Sequence, residues 1–131
     1  MTDVEQVRKI LARYWQFLDD RRGDDWVALF ADDATLEYEG TVARSRSDLE
    51  AIAADLPNHT GGKHVSSNEI IETDGDRATA RSDVVFLAPD PDGKVTIHFY
   101  GRCDDVLQRR GPDSPWQFTS RLIMFQGGYH G

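Results

Sequence analysis

The stretch GGKHVSSNEIIETDGDRATARSDVVFL, residues 61–87, decides how this chain folds. Gly61-Gly62 ends a helical pattern, and the segment from His64 to about Thr73 takes up the period of a strand. Asp74-Gly75-Asp76 then supplies tight-turn chemistry, because a glycine after an acidic residue tolerates the positive φ that a short hairpin needs. Arg77 to Leu87 reads as the returning strand. Pro89 to Gly93 makes a looser turn, and two further strands follow, about Lys94 to Gln108 and Trp116 to Phe125. The prolines and glycine of Arg109 to Pro115 forbid continued pairing between them.

Upstream of Gly61 the period is helical. Val4, Val7, Ile10, Leu11, Tyr14, Phe17 and Leu18 recur at three- and four-residue spacing, giving a first helix with one broad apolar stripe. Asp19-Asp20-Arg21-Arg22-Gly23 breaks it, after which Asp24 or Asp25 is expected to cap a short second helix carrying Trp26, Leu29 and Phe30. Thr35 to Tyr38 reads as a first strand. Ser47-Asp48-Leu49-Glu50 has the form of a capping box, which predicts a third helix running to about Leu56. Helices first and a mostly antiparallel sheet second make an α+β domain in which about three helices cover one face of a strongly curved sheet. A pocket can open between the layers.

With 131 residues, 39% hydrophobic and 29% charged, the chain has the balance of one globular domain spanning residues 1–131. Its 15 basic against 23 acidic residues give a formal charge of −8, which repels phosphate backbones and anionic lipid and excludes nucleic acid and membrane surfaces as expected partners. No apolar run approaches the roughly 20 residues that span a bilayer, and Met1-Thr2-Asp3-Val4-Glu5 lacks a signal-peptide pattern, so a cytoplasmic protein is expected. Cys103 is the single cysteine, which rules out an internal disulfide. His59, His98 and His130 do not fall at zinc-binding spacing, and neither a metal nor another cofactor is expected.

The order of elements, the segment Leu29-Phe30-Ala31-Asp32-Asp33-Ala34-Thr35, and His64 ahead of the Asp74-Gly75-Asp76-Arg77-Ala78 turn together resemble the SnoaL-like branch of the nuclear transport factor 2-like superfamily. The resemblance covers nearly the whole chain and implies a cone-shaped, cystatin-like fold around a single pocket. Members act as isomerases, dehydratases, polyketide cyclases and epoxide hydrolases, and some have no known catalysis, so the resemblance implies the fold more firmly than the reaction. Asp19, Tyr38 and His64 fall where scytalone dehydratases keep an acidic residue, a tyrosine and a histidine; their other tyrosine is Leu18 here, and the stretch at Ala88-Pro89 brings no second histidine. Tyr14 and Asp105 fall where steroid delta-isomerases place the two donors of an oxyanion hole, while the base of that family is replaced by Tyr38. Arg81-Ser82-Asp83 is similar to the Arg-x-Asp pair of limonene epoxide hydrolases, whose further aspartate finds only Ser120 to Leu122.

These positions define the expected site. His64 is the natural base, since an imidazole with an ordinary pKa of about 6.5 suits proton transfer near neutrality; otherwise it is a strand-end histidine bonded locally. Asp19 either orients that imidazole or is one more charge of an Asp-Asp-Arg-Arg run. Tyr14 lies on the apolar stripe as core or as donor, and Tyr38 joins it as a donor. Alternation with Cys103 and Leu107 points Asp105 inward, where a carboxyl pushed towards its neutral form could donate, unless it sits on a bulge facing water. Trp15, Leu18, Phe86, Phe99 and Cys103 are expected to line the pocket, and Arg81 and Asp83 to form a surface pair. The residues together read as a cofactor-independent acid/base enzyme that dehydrates, isomerises or cyclises a cyclic apolar carbonyl compound. The alternatives are a non-catalytic binder of a small apolar or aromatic ligand and, third, an epoxide hydrolase. A homo-oligomer, dimer or trimer, is expected through the open sheet face.

Overall fold

The first helix, α1 (Asp3–Asp19), starts at a reciprocal cap: the Glu5 N–H donates to the Thr2 hydroxyl at 3.1 Å, and the Thr2 N–H donates to the Glu5 carboxylate at 3.2 Å. Its stripe buries Val7, Ile10, Leu11, Tyr14 and Trp15. In this computed structural model, residues 1–128 are described; His130, weighed above for metal binding, lies outside them.

The second helix, α2 (Gly23–Val27), is shorter than expected and carries no side-chain cap, because Arg22 occupies the cap position. Asp24 and Asp25 sit inside its first turn instead, where their charge favours the helix N-terminus. Leu29 and Phe30 are not on it. The Phe118 N–H donates to the Leu29 carbonyl at 2.9 Å, drawing this segment into the sheet, and Phe30 opens β1 (Phe30–Tyr38), a longer strand than the one read at Thr35. A turn at Glu39 and Gly40, both at positive φ, leads to β2 (Thr41–Ala43), which the sequence pattern did not announce. Helix α3 (Arg46–Asp55) is capped by Ser45 rather than Ser47, with the Asp48 N–H donating to Ser45 Oγ at 3.1 Å and the Arg44 N–H donating to the Asp48 carboxylate at 3.0 Å. The cap therefore lies two residues earlier than expected, and it is not a reciprocal box, since the Asp48 carboxylate takes the Arg44 N–H rather than that of Ser45. A single 3₁₀ turn, Leu56–Asn58, completes the helical half.

Four long strands follow: β3 (Lys63–Asp74), β4 (Arg77–Pro89), β5 (Val95–Gln108) and β6 (Gln117–Gly128). The sheet order is β2-β1-β6-β5-β4-β3, antiparallel throughout except where β1 runs parallel to β6. The inner face, towards the helices, carries Ala78, Ala80 and Val84 of β4, Cys103 and Leu107 of β5, and Phe118 and Ile123 of β6, all buried. Together with Leu11, Tyr14, Trp26, Phe30 and Leu36 they form the core. Full burial of a side chain such as Leu11 or Phe118 stabilises the fold by roughly 1.5–3 kcal/mol.

Bulges decide which residues face inward. The β5–β6 register slips between Val106↔Ser120 and Leu107↔Phe118, leaving one extra residue on β6. Phe118 and Arg121 are therefore both buried, although strict alternation would separate them. A slip between Phe86↔Phe99 and Leu87↔Ile97 does the same to His98 on β5, and a third interrupts β3 between Ser67 and Ile70, where Asn68 has φ 54°.

At Gly101 β5 and β6 leave no room for a side chain, since one there would run into the Met124 carbonyl. Gly101→Ala is expected to lower the free energy of unfolding by about 1–3 kcal/mol, the usual cost of overpacking, read as a reduced urea midpoint with unchanged slope.

Candidate active site

A cavity of about 400 Å³ lies between the helices and the wide end of the sheet. Helix α1 supplies one wall through Tyr14, Trp15, Leu18 and Asp19, positions one turn apart that share a face. Tyr38 enters from the end of β1, His64 from the start of β3, and Phe86 and Phe99 from neighbouring positions on β4 and β5.

Asp19 and His64 meet across this cavity. The His64 Nδ1 lies 2.6 Å from Asp19 Oδ1, and the His64 backbone N–H donates to Asp19 Oδ2 at 2.9 Å. A carboxylate only accepts, so Nδ1 is the nitrogen that carries the proton, and in the neutral imidazole Nε2 holds the lone pair. Both side chains are mostly buried, at 16% and 13% exposure for His64 and Asp19. Asp19 is also the last residue of α1, where the helix dipole disfavours a negative charge; the two bonds to His64 offset that cost. The imidazole is clasped between rings, stacked on Trp15 at 4.4 Å and 16° and lying 4.4 Å from Phe86. Rotation out of this slot would break the stack on Trp15 and the tilted contact with Phe86, so the direction of Nε2 is set.

Tyr14 packs edge-on against Trp15, Trp26, Phe30 and Phe118, and burial raises its phenol above the ordinary value although Arg121 pulls the other way. Tyr38 is raised as well, first by partial burial and then by the nearby charges of Asp55 and Glu39. Both are therefore protonated, and able to donate, at neutral pH.

Two expected members are placed elsewhere. Asp105 does point inward, at 4% exposure, and Cys103 is fully buried, but neither is among the residues lining the cavity. They lie in the core on the inner face of β5, and Asp105 faces Arg121, whose Nε is 3.3 Å from Asp105 Oδ1. Burial pushes the Asp105 carboxyl up to about 6, against the pull of Arg121. Burial likewise raises the Cys103 thiol, which makes it a poor nucleophile. Arg81 and Asp83 share the outer face, yet they do not pair with each other: Arg81 donates to Asp104 at 2.8 Å, and Asp83 accepts from Arg102 at 2.8 Å and from Asn68 at 2.9 Å. That Arg-x-Asp pair is absent from the cavity lining, which removes the residues on which an epoxide hydrolase reading stood.

The sequence pattern missed three contributors. His98 lines the cavity from the β5 bulge, with Nε2 3.8 Å from Asp90 Oδ1 and its ring edge-on to Phe86. Arg21, at φ 55°, donates to the His59 carbonyl at 3.0 Å and so holds the segment His59 to Gly62 as the rim of the cavity. Arg121 is the third, wholly buried and stacked beneath Tyr14. Helical or strand spacing could not have found His98 or Arg121, because each depends on a bulge. Among the described residues, no group of three or more His, Cys, Asp or Glu is placed to hold a metal ion, and no helix is long and apolar enough to cross a membrane.

Comparison with known proteins gives a consistent result. A family model described as a SnoaL-like domain matches residues 1–122. Among solved structures, a protein of unknown function from Mycobacterium tuberculosis is 27% identical with a TM-score of 0.87, covering 95% of this chain and 76% of its own. A candidate scytalone dehydratase from Novosphingobium aromaticivorans is 22% identical with a TM-score of 0.82, covering 97% and 87%. The beta subunit of a candidate aromatic-ring-hydroxylating dioxygenase from the same organism is 21% identical, also at 0.82, covering 96% and 90%. At those last two identities the likeness is one of fold, which solved relatives share under the description cystatin-like or NTF2-like. Comparison with curated proteins gives no match.

The Asp105 carboxyl makes a pH prediction. Because its folded value is raised, the native state keeps a proton that the unfolded chain releases near pH 4; the stability this contributes is complete below that value and is lost as pH rises through about 6. Asp105→Asn removes the linkage, so the stability of wild type relative to this variant should fall by on the order of 3 kcal/mol between pH 4 and pH 7 in urea titrations. A constant difference across that range would contradict the assignment.

Proposed function

The chain belongs to the SnoaL-like domain family, and from that premise we propose that it is a cofactor-independent acid/base catalyst of a flat, cyclic, apolar carbonyl compound, polyketide-like or steroid-like in shape. The observation that carries this reading is the Asp19–His64 pair, 2.6 Å apart and clamped between Trp15 and Phe86 on the wall of an aromatic cavity. In this reading Nε2 of His64 takes the proton alpha to the carbonyl. The electron pair of the broken C–H bond moves to the carbonyl oxygen, and the resulting enolate accepts hydrogen bonds from Tyr14 and Tyr38. Asp19 holds the imidazole in the tautomer that can act as base and stabilises the imidazolium that forms. The proton then returns to another carbon in an isomerisation or to a leaving hydroxyl in a dehydration.

Magnitudes support the division of labour. A positioned general base is worth about 10²–10⁴ in rate, and one donor to a developing oxyanion about 2.7–4 kcal/mol. The walls supply binding without selectivity for a single ring system, since Trp15, Phe86 and Phe99 line the cavity with apolar ring surface. The outer sheet face exposes Val65, Ile97 and Tyr100, which supports the further reading that the protein self-associates.

The probe for this function is 2-tetralone in D₂O, whose alpha protons exchange when a base removes them. Wild type should accelerate deuterium uptake, followed by proton NMR, and His64→Gln and Asp19→Asn should each reduce it at least about tenfold. Saturable binding of the ketone with no acceleration by wild type would identify a non-catalytic binding protein. Equal rates in wild type and His64→Gln would remove His64 from the role of base.

A further inference from the structure

Arg121 is the largest charged side chain in the core, with none of its side-chain surface exposed. The other arginine pairs of this chain make direct hydrogen bonds: Arg109 donates to Asp3 at 2.7 Å and Arg81 to Asp104 at 2.8 Å. The Arg121–Asp105 pair does not, since its 3.3 Å approach lacks hydrogen-bond alignment and no guanidinium nitrogen has a hydrogen-bond partner among the described residues. A buried pair so poorly bonded is a weak source of stability, and apolar replacements of such pairs are often neutral or stabilising. Its placement is more telling. The guanidinium carbon lies 4.0 Å from the Tyr14 ring and 5.0 Å from the rings of Trp15 and Phe118. Tyr14 and Trp15 are cavity wall, and Trp15 in turn stacks on His64. The guanidinium is thus the member of the pair that lies directly against the cavity wall.

We infer that the Arg121–Asp105 pair is a fixed dipole behind the cavity wall, positive end towards the ligand, and that Arg121 is a positioning residue which favours the anionic form of an enolisable or phenolic ring bound there. The inference rests on the proposed function in one respect, that an anion develops in this cavity. It adds a substrate class: rings whose hydroxyl or enol can carry the charge. The low-dielectric surroundings make a charge effective at this range, and the aromatic layer keeps the guanidinium from binding the ligand directly.

The test uses 2-naphthol, whose ionisation is read from its absorbance when bound, and naphthalene as an uncharged control. Tyr14, Asp19, Arg21, Tyr38, Glu39, His59, His64 and His98 also line the cavity as charged or titratable groups and are common to every variant; Tyr14, which itself feels both members of the pair, stays protonated because burial holds its phenol up. Arg121→Met should raise the pH at which bound 2-naphthol ionises, weakening naphtholate binding at least about threefold relative to naphthalene. Asp105→Asn should do the opposite, lowering that pH and tightening naphtholate binding by a similar factor, and Arg121→Lys should stay on the wild-type side of Arg121→Met. A purely structural pair would move both single variants in the same direction, or move naphthalene equally, and either result overturns the inference. If Arg121→Met does not fold, the Asp105→Asn shift decides: downward supports it, while upward or absent overturns it. Failure of both aromatics to bind overturns it together with the cavity reading. A correct pair of shifts without exchange of 2-tetralone would leave the dipole standing and reject the proposed catalysis.

Discussion

One carboxylate joins the two layers of this protein. Asp19, at the last position of α1, accepts both the backbone N–H and the ring N–H of His64 at the start of β3, residues 45 apart in sequence. The backbone bond fixes where the helix end meets the sheet edge, and the ring bond fixes the tautomer and direction of the imidazole. A single group therefore ties the helix layer to the sheet and holds the imidazole that lines the cavity between them. Its cost, a negative charge at the wrong end of a helix dipole, is one that a purely structural contact would not need to carry.

Around that contact aromatic rings pack one against the next. Trp15, His64 and Phe86 form one series, continued by Phe99 and Phe125 at 4.4 Å and 13°. Planar rings lose little rotamer freedom when ordered, so such a wall is rigid and apolar. Tyr14 belongs to both worlds, packed on four aromatic rings yet lining the cavity, with Arg121 against its inner face.

The sheet irregularities are where structure and site meet. A strict two-residue period would have turned Arg121 outward and left His98 facing away from the cavity; one inserted residue on each strand reverses both. The same strands bury Cys103 and Asp105 below the cavity rather than on its wall, because the helix layer, not the ligand space, covers that part of β5. Parity alone predicted the right direction for Asp105 and the wrong neighbours.

The sequence determined the α+β order, the helix stripe ending at Leu18 and the Asp74-Gly75-Asp76 turn, and it singled out Asp19, His64, Tyr14 and Tyr38, which the fold brings to one cavity; these readings depend on local period, turn chemistry and a family resemblance carried by short segments. Tertiary structure decided the rest. The parallel pairing of β1 with β6 took Leu29 and Phe30 out of a helix, Ser45 displaced Ser47 as a cap, and bulges chose Arg121 and His98. The cap is a local choice between two serines two residues apart, but the strand pairing and the bulges turn on hydrogen bonds and register shifts between segments far apart in the chain, and a spacing rule read along one segment contains no term for a partner strand.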